Sequence, residues 1–323
     1  MKHLFSCLKK YRAEAILSPL FKLLEAGMEL LVPLVVAAIV DRGIAGGDRA
    51  YIVRACLVLI GFGAVGLIFA LTAQFFAAKA AVGVAAELRS RLFCKLQSFS
   101  YTRIDETGTA AMITRMTSDV NQVQSGVNMF LRILLRSPFI VFGAMAMAFV
   151  VDAQAALTFV VVIPLLAIAV YAIMGICSPL YRKTQERLDK VYLSTRENLS
   201  GVRVVRAFSL EEEERREFAA RNGALRAAQK QAGRIAALMG PLTYSLVNVA
   251  IVVLLWLCAR RVDLGILEQG TVIALYGYLA QILVELVKLA NLIITVTKAI
   301  ACQKRIGKVL DEEGELDILS NSE

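Results

Sequence analysis

The sequence predicts an all-α membrane protein: six transmembrane helices with two long cytoplasmic helical hairpins. Three observations predict it. First, 58% of the 323 residues are hydrophobic and the mean hydropathy is +0.63, whereas a soluble domain has roughly 45–50% apolar residues. Second, the excess is gathered into six runs, each close to the roughly 20 residues that cross a bilayer as a helix. Third, Lys and Arg collect on alternate sides of those runs.

Residues 1–14 open the chain as an amphipathic interfacial helix. Lys2, Lys9, Lys10 and Arg12 interleave with Leu4, Phe5, Leu8 and Tyr11, a spacing that lays one apolar face on a membrane surface. Residues 15–300 form the six-span domain. The spans fall at residues 16–40, 52–78, 133–151, 155–177, 238–259 and 271–296. Asp41, Gly43, Gly46, Gly47 and Asp48 end the first with turn chemistry, and Asp152 marks a very short turn after the third. Residues 301–323 close the chain, ending in the acidic tail 311–323.

Orientation follows from the basic residues. The N-terminal tail has four, the segment 79–131 six, the segment 178–237 thirteen and the C-terminal tail four. The opposite connections hold three, none and two. Both termini and both long segments are therefore expected in the cytoplasm of a multi-pass plasma or inner membrane protein. The formal charge of +9 is explained by this topology, and no nucleic-acid partner is expected.

The long segments are expected to be helical. Residues 79–131 contain no proline and three glycines. In the other, Leu180, Thr184, Leu188, Val191, Thr195 and Leu199 recur at three- and four-residue spacing. Each segment must turn back at a tip. Asp105-Glu106-Thr107-Gly108, followed by Thr114 to Asp119, marks one tip, and the region around Ser200-Gly201 marks the other.

Polar residues inside spans are costly and face a cavity or a partner. Lys22, Glu25 and Glu29 share one face of the first span. Gln281, Glu285, Lys288 and Asn291 share one face of the sixth. Two such stripes, with Glu29 and Glu285 both near mid-span, predict a shared watery path that favours polar or cationic substrates. The plainer reading is structural, with Lys288 paired to Glu285 or Glu25. Pro33, Pro138 and Pro164 can bend their spans. Tyr276, Tyr278, Gly61, Gly63 and Gly66 read as packing positions. The six cysteines form no C-x-x-C pair and the single histidine is His3, so neither a metal site nor a disulfide framework is expected.

Several short runs carry a family resemblance: Leu88-Arg89-Ser90-Arg91-Leu92-Phe93; Thr107-Gly108 with Arg115 and Ser118-Asp119-Val120; Glu197-Asn198-Leu199-Ser200-Gly201-Val202-Arg203-Val204-Val205-Arg206-Ala207-Phe208 with Glu214 and Phe218; and Lys304-Arg305-Ile306 with Val309-Leu310-Asp311. In this order the chain resembles the membrane domain of type IV ABC exporters, the multidrug and lipid exporter class. The resemblance implies a second exporter half, as homodimer or heterodimer, and two nucleotide-binding domains in cis and in trans. It implies two coupling helices at the hairpin tips, and it implies that residues 301–323 are the start of a linker to a nucleotide-binding domain. The first carries Thr107, Gly108, Thr114, Arg115 and Asp119. The second carries Leu199, Ser200, Gly201, Val202, Arg203, Val204, Val205, Arg206 and Phe208. ATP and Mg2+ would be bound by the nucleotide-binding domains, and no cofactor or catalytic residue is expected in this chain. A phosphate loop needs G-x-x-x-x-G-K-[ST], whereas Gly307-Lys308 is followed by Val309. The expectation is a membrane half whose ATPase lies elsewhere, on the same polypeptide or another, with a drug-like, amphipathic or lipidic substrate. An ion-coupled secondary transporter using Glu25, Glu29 and Glu285, or a non-transporting regulator on the same bundle, are the alternatives.

Overall fold

Six helices in the computed structural model, which describes residues 2–312, are long and apolar enough to cross a membrane. Among the described residues there is no strand. The chain begins with α1 (Lys2–Lys10) and α2 (Arg12–Ala38), which ends in a π-helical turn, Ile39–Ile44. Then come α3 (Arg49–Gln97), α4 (Tyr101–Thr107), α5 (Thr109–Thr114), a second π-helical turn at Arg115–Asp119, α6 (Val120–Ile133) and α7 (Arg136–Val151). Three long helices complete it: α8 (Ala153–Ala207), α9 (Glu211–Asp263) and α10 (Gln269–Asp311). Residues 313–323, just under half of the expected linker, lie outside the described residues, and residues 301–311 continue α10.

Helices α3, α8, α9 and α10 contain 49, 55, 53 and 43 residues. At about 1.5 Å per residue each is at least about twice the roughly 30 Å of a hydrocarbon core. The helices expected to continue past the bilayer do so.

Aspartates start them. Asp48 accepts from the Tyr51 amide at 3.0 Å, and Asp152 accepts from the Ala155 amide at 2.7 Å. Each satisfies an orphan donor in a first turn. For α10 the acceptor comes from another helix: Asp41, in the turn after α2, takes the Gly270 amide at 2.6 Å. A Cβ at Gly270 would run into the Ala37 carbonyl, so only glycine lets these two backbones meet.

The chain divides into two compact units, residues 2–157 with 254–312, and residues 158–253. One apolar core of the first unit lies around and beyond the ends of the expected spans. Ala77, Ala80, Ala81, Val84, Ala85, Leu88 and Leu92 of α3 recur at helical spacing and bury against Val120, Val123 and Val127 of α6 and Ile306 and Val309 of α10. Gly126 of α6 sits against Ala299 of α10 with no room for a Cβ. Helix α1 docks on this core: Cys7 is fully buried, and Leu4, Leu8 and Tyr11 pack against the cluster. Lys10 pairs with Glu87 at 3.4 Å and His3 with Asp311 at 2.7 Å. The apolar face expected to meet lipid therefore meets protein along much of its length.

Helix α3 leaves apolar side chains uncovered. Leu57, Ile60, Leu67, Ile68 and Leu71 are exposed. Gly61, Gly63 and Gly66 face open space within this chain, so they are not packing positions here. The second unit is formed by the greater part of α8 and α9, joined by a tight turn.

Candidate functional site

The polar stripes of α2 and α10 meet. Lys22, Glu25 and Glu29 lie on one side of α2 because residues three and four apart share a face. Glu285 and Lys288 lie on one side of α10 for the same reason. Between them enters Arg136, the first residue of α7. Its Nη1 donates to Glu285 Oε1 at 2.5 Å and its Nη2 to Glu29 Oε2 at 2.6 Å, with Glu25 Oε1 4.0 Å away. Ser137 Oγ donates to Glu285 Oε2 at 2.6 Å. Lys22 Nζ donates to Glu25 Oε2 and Lys288 Nζ to Glu285 Oε1, at 2.5 and 2.8 Å.

Three carboxylates are thus balanced by three cations. Glu285 is 2% exposed, and an ionised carboxylate so buried is tolerable only with partners on both oxygens. Arg136 supplies a planar fork that Lys could not. The expected Lys288–Glu285 pair forms. The organising residue is Arg136, which the stripe pattern missed. One signal could have found it: two lysines on the stripes leave the third carboxylate without a cation, and Arg136 is a charge inside the expected third span.

Gln281 has a different task. Pro33 has no N–H to give to the carbonyl four residues back, which is that of Glu29. The Gln281 amide donates to that carbonyl at 3.2 Å. The next carbonyl, Leu30, accepts from the Tyr278 hydroxyl at 2.9 Å. Tyr278 is fully buried, so it is a packing residue as expected and also a hydrogen-bond donor. Asn291 is exposed and joins none of these contacts.

At the first tip, Gly108 separates α4 from α5 with φ 76°, a left-handed conformation natural to glycine. Thr107 is the last residue of α4. Thr114 is exposed and donates back to the Ala110 carbonyl at 2.9 Å, and Arg115 is half-buried. Asp119 does not face outward. It is buried and takes both arms of Arg305 on α10, Nε at 2.9 Å and Nη2 at 2.5 Å.

The second tip differs from expectation. Helix α8 runs unbroken through Ser200-Gly201 and ends at Ala207. A helical glycine weakens a helix without stopping it. The stop lies at Phe208-Ser209-Leu210. Ser209 has φ 52°, its amide donates to Arg206 at 3.3 Å, and the Leu210 amide reaches Val205 at 2.9 Å. This is the Schellman arrangement, which satisfies the last carbonyls of a helix. Helix α9 then opens with Glu211, Glu212, Glu213 and Glu214, favourable charges for an N-terminus. Arg215 and Arg216 lie 3.9 and 3.5 Å from Glu212, with all three exposed. Asn198 donates to Glu214 at 2.7 Å across the turn. Ser200, Val202, Arg203, Val204 and Arg206 are exposed, Gly201 and Val205 half-buried. Leu199 is 74% and Phe208 72% exposed. An apolar, basic tip is thus presented on a rigid helix end.

Gly307 and Lys308 lie inside α10, where backbone amides are committed to the helix and cannot cradle phosphate.

A family model described as the ABC transporter transmembrane region matches residues 15–286. Among known proteins, the chain is 35% identical over 311 residues to an uncharacterized ABC transporter ATP-binding protein of Mycobacterium tuberculosis, covering 96% of this chain and 53% of the relative. It is 25% identical to a putative multidrug export ATP-binding/permease protein of Bacillus subtilis, covering 95% of this chain and 54% of that protein. It is 24% identical to an ATP-dependent lipid A-core flippase of Pseudoalteromonas translucida, covering 98% and 54%. The chain spans about half the length of the relatives it matches.

Proposed function

Because this chain belongs to the ABC transporter transmembrane region family, whose model covers most of it, we propose that it is the membrane-spanning half of an ATP-driven exporter. It pairs with a second exporter half and docks on nucleotide-binding domains in cis and in trans. Both termini and both tips lie in the cytoplasm. ATP and Mg2+ belong to those domains, and their closure is transmitted through two coupling elements to switch the spans between inward- and outward-open states. The observation that carries this reading is the second tip: a 55-residue helix ending in a rigid turn that exposes Leu199, Val204 and Phe208. Such a surface needs a partner, and a stiff helix transmits its displacement. In the assembled transporter, Phe208→Asp or Gly201→Trp should leave assembly and substrate binding intact and uncouple ATP hydrolysis from transport. Normal transport by both variants would overturn the proposal.

The substrate is drug-like, amphipathic or lipidic, and its path passes the polar cluster. Support for this comes from Glu29 and Lys288, whose side chains remain 40% and 41% exposed while the rest of the cluster is enclosed. Asn291 continues the exposed line. Replacing Glu29 or Lys288 by Gln should change selectivity among cationic and neutral dyes in inverted vesicles. Unchanged transport of every dye, with lowered detergent stability, would leave the cluster a purely structural element. Proton-coupled transport finds less support, since each of the three carboxylates lies 2.5 to 2.6 Å from a cation.

A further inference from the structure

One arm of Arg136 has two carboxylates in range. Its Nη2 donates to Glu29 Oε2 at 2.6 Å, and Glu25 Oε1 stands 4.0 Å away. Both acceptors lie on α2, about one helical turn apart. They differ in what else holds them. Glu25 has a second cation, Lys22, on its other oxygen. Glu29 has only Arg136 among the described residues, and its Oε1 makes no hydrogen bond there. They differ also in access: the side chains of Glu29, Glu25 and Glu285 are 40%, 18% and 3% exposed. Glu29 is therefore the carboxylate that a ligand can reach, and the arm that neutralises it has another acceptor close by. Charge-assisted contacts close at about 2.7–2.9 Å, so a movement of roughly 1 Å carries Nη2 onto Glu25.

We propose that Glu29 binds an organic monovalent cation carrying an N–H donor, and that Arg136 Nη2 passes from Glu29 to Glu25 as the cation arrives, while Nη1 stays on Glu285. This rests on the reading that the substrate path passes the cluster, and adds which residue takes the substrate's charge. A carboxylate away from water needs a partner, and the exchange leaves none without one. Glu29 gains the ligand, Glu25 keeps Lys22 and gains the arm, and Glu285 keeps Lys288 and the other arm. A metal ion does not suit the site. No group of three His, Cys, Asp or Glu among the described residues could hold one, and hard cations take about six or more oxygens. The body of the ligand is apolar because the neighbouring surface is. Phe139, three residues after Arg136 on α7, and Val284, four before Lys288 on α10, are exposed and share those residues' faces. The consequence is mechanical: the tie between α7 and α2 moves one turn along α2, from residue 29 to residue 25, whenever the site is occupied.

The probes are adamantylmethylamine, a cation at neutral pH, and adamantanemethanol, a neutral molecule of nearly the same size. Binding to the purified, assembled transporter in detergent is measured by equilibrium dialysis against matched micelles. The native protein should bind the ammonium about tenfold or more tightly than the alcohol, the factor that one charge-assisted hydrogen bond confers. Glu29→Gln should erase that preference and leave alcohol binding as it was. Glu25→Gln, which removes the second acceptor of the arm, should weaken the ammonium several-fold without moving the alcohol, and should do nothing further in a Glu29→Gln background. Glu29→Asp keeps the charge and draws it back from Arg136, so it should retain the preference; it serves in place of Glu29→Gln if that variant does not assemble. A preference that survives Glu29→Gln, a loss of affinity for both probes alike, or a preference lost in Glu29→Asp would overturn the site. An ammonium affinity untouched by Glu25→Gln would overturn the passage of the arm. ATP-driven export of ethidium by the same assembly in vesicles reports separately on the exporter reading. Preference without export would sink that reading and leave the site standing, and export without preference would do the reverse.

Discussion

Arg136 and Glu285 meet at 2.5 Å between the start of α7 and the middle of α10, with the other arm of the same guanidinium on Glu29 of α2. One side chain therefore ties three helices of the first unit. Arg136→Met should strand three carboxylates among two lysines and lower stability by about 3–5 kcal/mol, the usual cost of removing one partner of a buried pair. Because Glu29 is partly exposed, less of that loss comes from its arm. The double variant Arg136→Met with Glu285→Met should recover a substantial part. Thermal unfolding in detergent, followed by size-exclusion chromatography, measures both. A double variant no more stable than the single one would show that the fork is not the dominant contact.

Pro33 and Gln281 should be coupled. In the native chain, Gln281→Leu leaves the Glu29 carbonyl short of a donor and should cost about 1–2 kcal/mol. With Pro33→Ala in place, the restored amide takes over that carbonyl, and the same change should cost little. A double-mutant cycle on melting temperature reads the difference. Additive losses would mean that Gln281 does not act as a substitute donor.

Ser209 is the only residue other than glycine with positive φ among the described residues. A left-handed conformation costs an ordinary L-residue about 1–2 kcal/mol. Ser209→Gly should therefore slow hydrogen exchange of the Leu210 amide, corresponding to a gain of about 1 kcal/mol in the turn. Ser209→Val should accelerate it. The matching turn after α9 already has Gly265 at φ 67°, which shows the solution that Ser209 forgoes.

Cys7 reports on α1. Burial pushes its thiol above the ordinary cysteine range, and the reactive species is the thiolate. At pH 7.5 N-ethylmaleimide should modify exposed Cys94 well before Cys7. Raising the pH increases the thiolate fraction at Cys7 only above the usual range, so its rate should lag further into the alkaline. Leu8→Glu, which undocks α1, should bring Cys7 forward. Equal rates in the native protein would contradict the docked position.

Much of this architecture was legible. Span number, the long extensions and the two polar stripes all follow from periodicity and from the cost of burying charge, because those forces act on neighbours along one helix. What was not legible depends on neighbours far apart in the chain. Arg136 looked like an edge residue of a span, yet its partners are 107 and 149 positions away. Asp119 read as part of a docking tip, yet Arg305 claims it from 186 residues on. Ser200-Gly201 carried the stronger breaking signal by composition, but the break came where Ser209 could turn left-handed and Leu210 could close the hydrogen bonds. The docking of α1 was hidden because an apolar face looks the same whether lipid or protein covers it.

The Pro33 arrangement has a consequence for genetics. The acceptors at Glu29 and Leu30 are main-chain oxygens, which no side-chain replacement at those two positions removes. An alanine scan of α2 would pass over the joint between α2 and α10 at every position but Pro33 itself, and at Pro33 it would mend the helix rather than damage it. The connection would surface only as sensitivity in Tyr278 and Gln281, on a helix that looks intact. At these two carbonyls the joint therefore rests on the polypeptide backbone of α2, and the side chains of α2 serve other contacts.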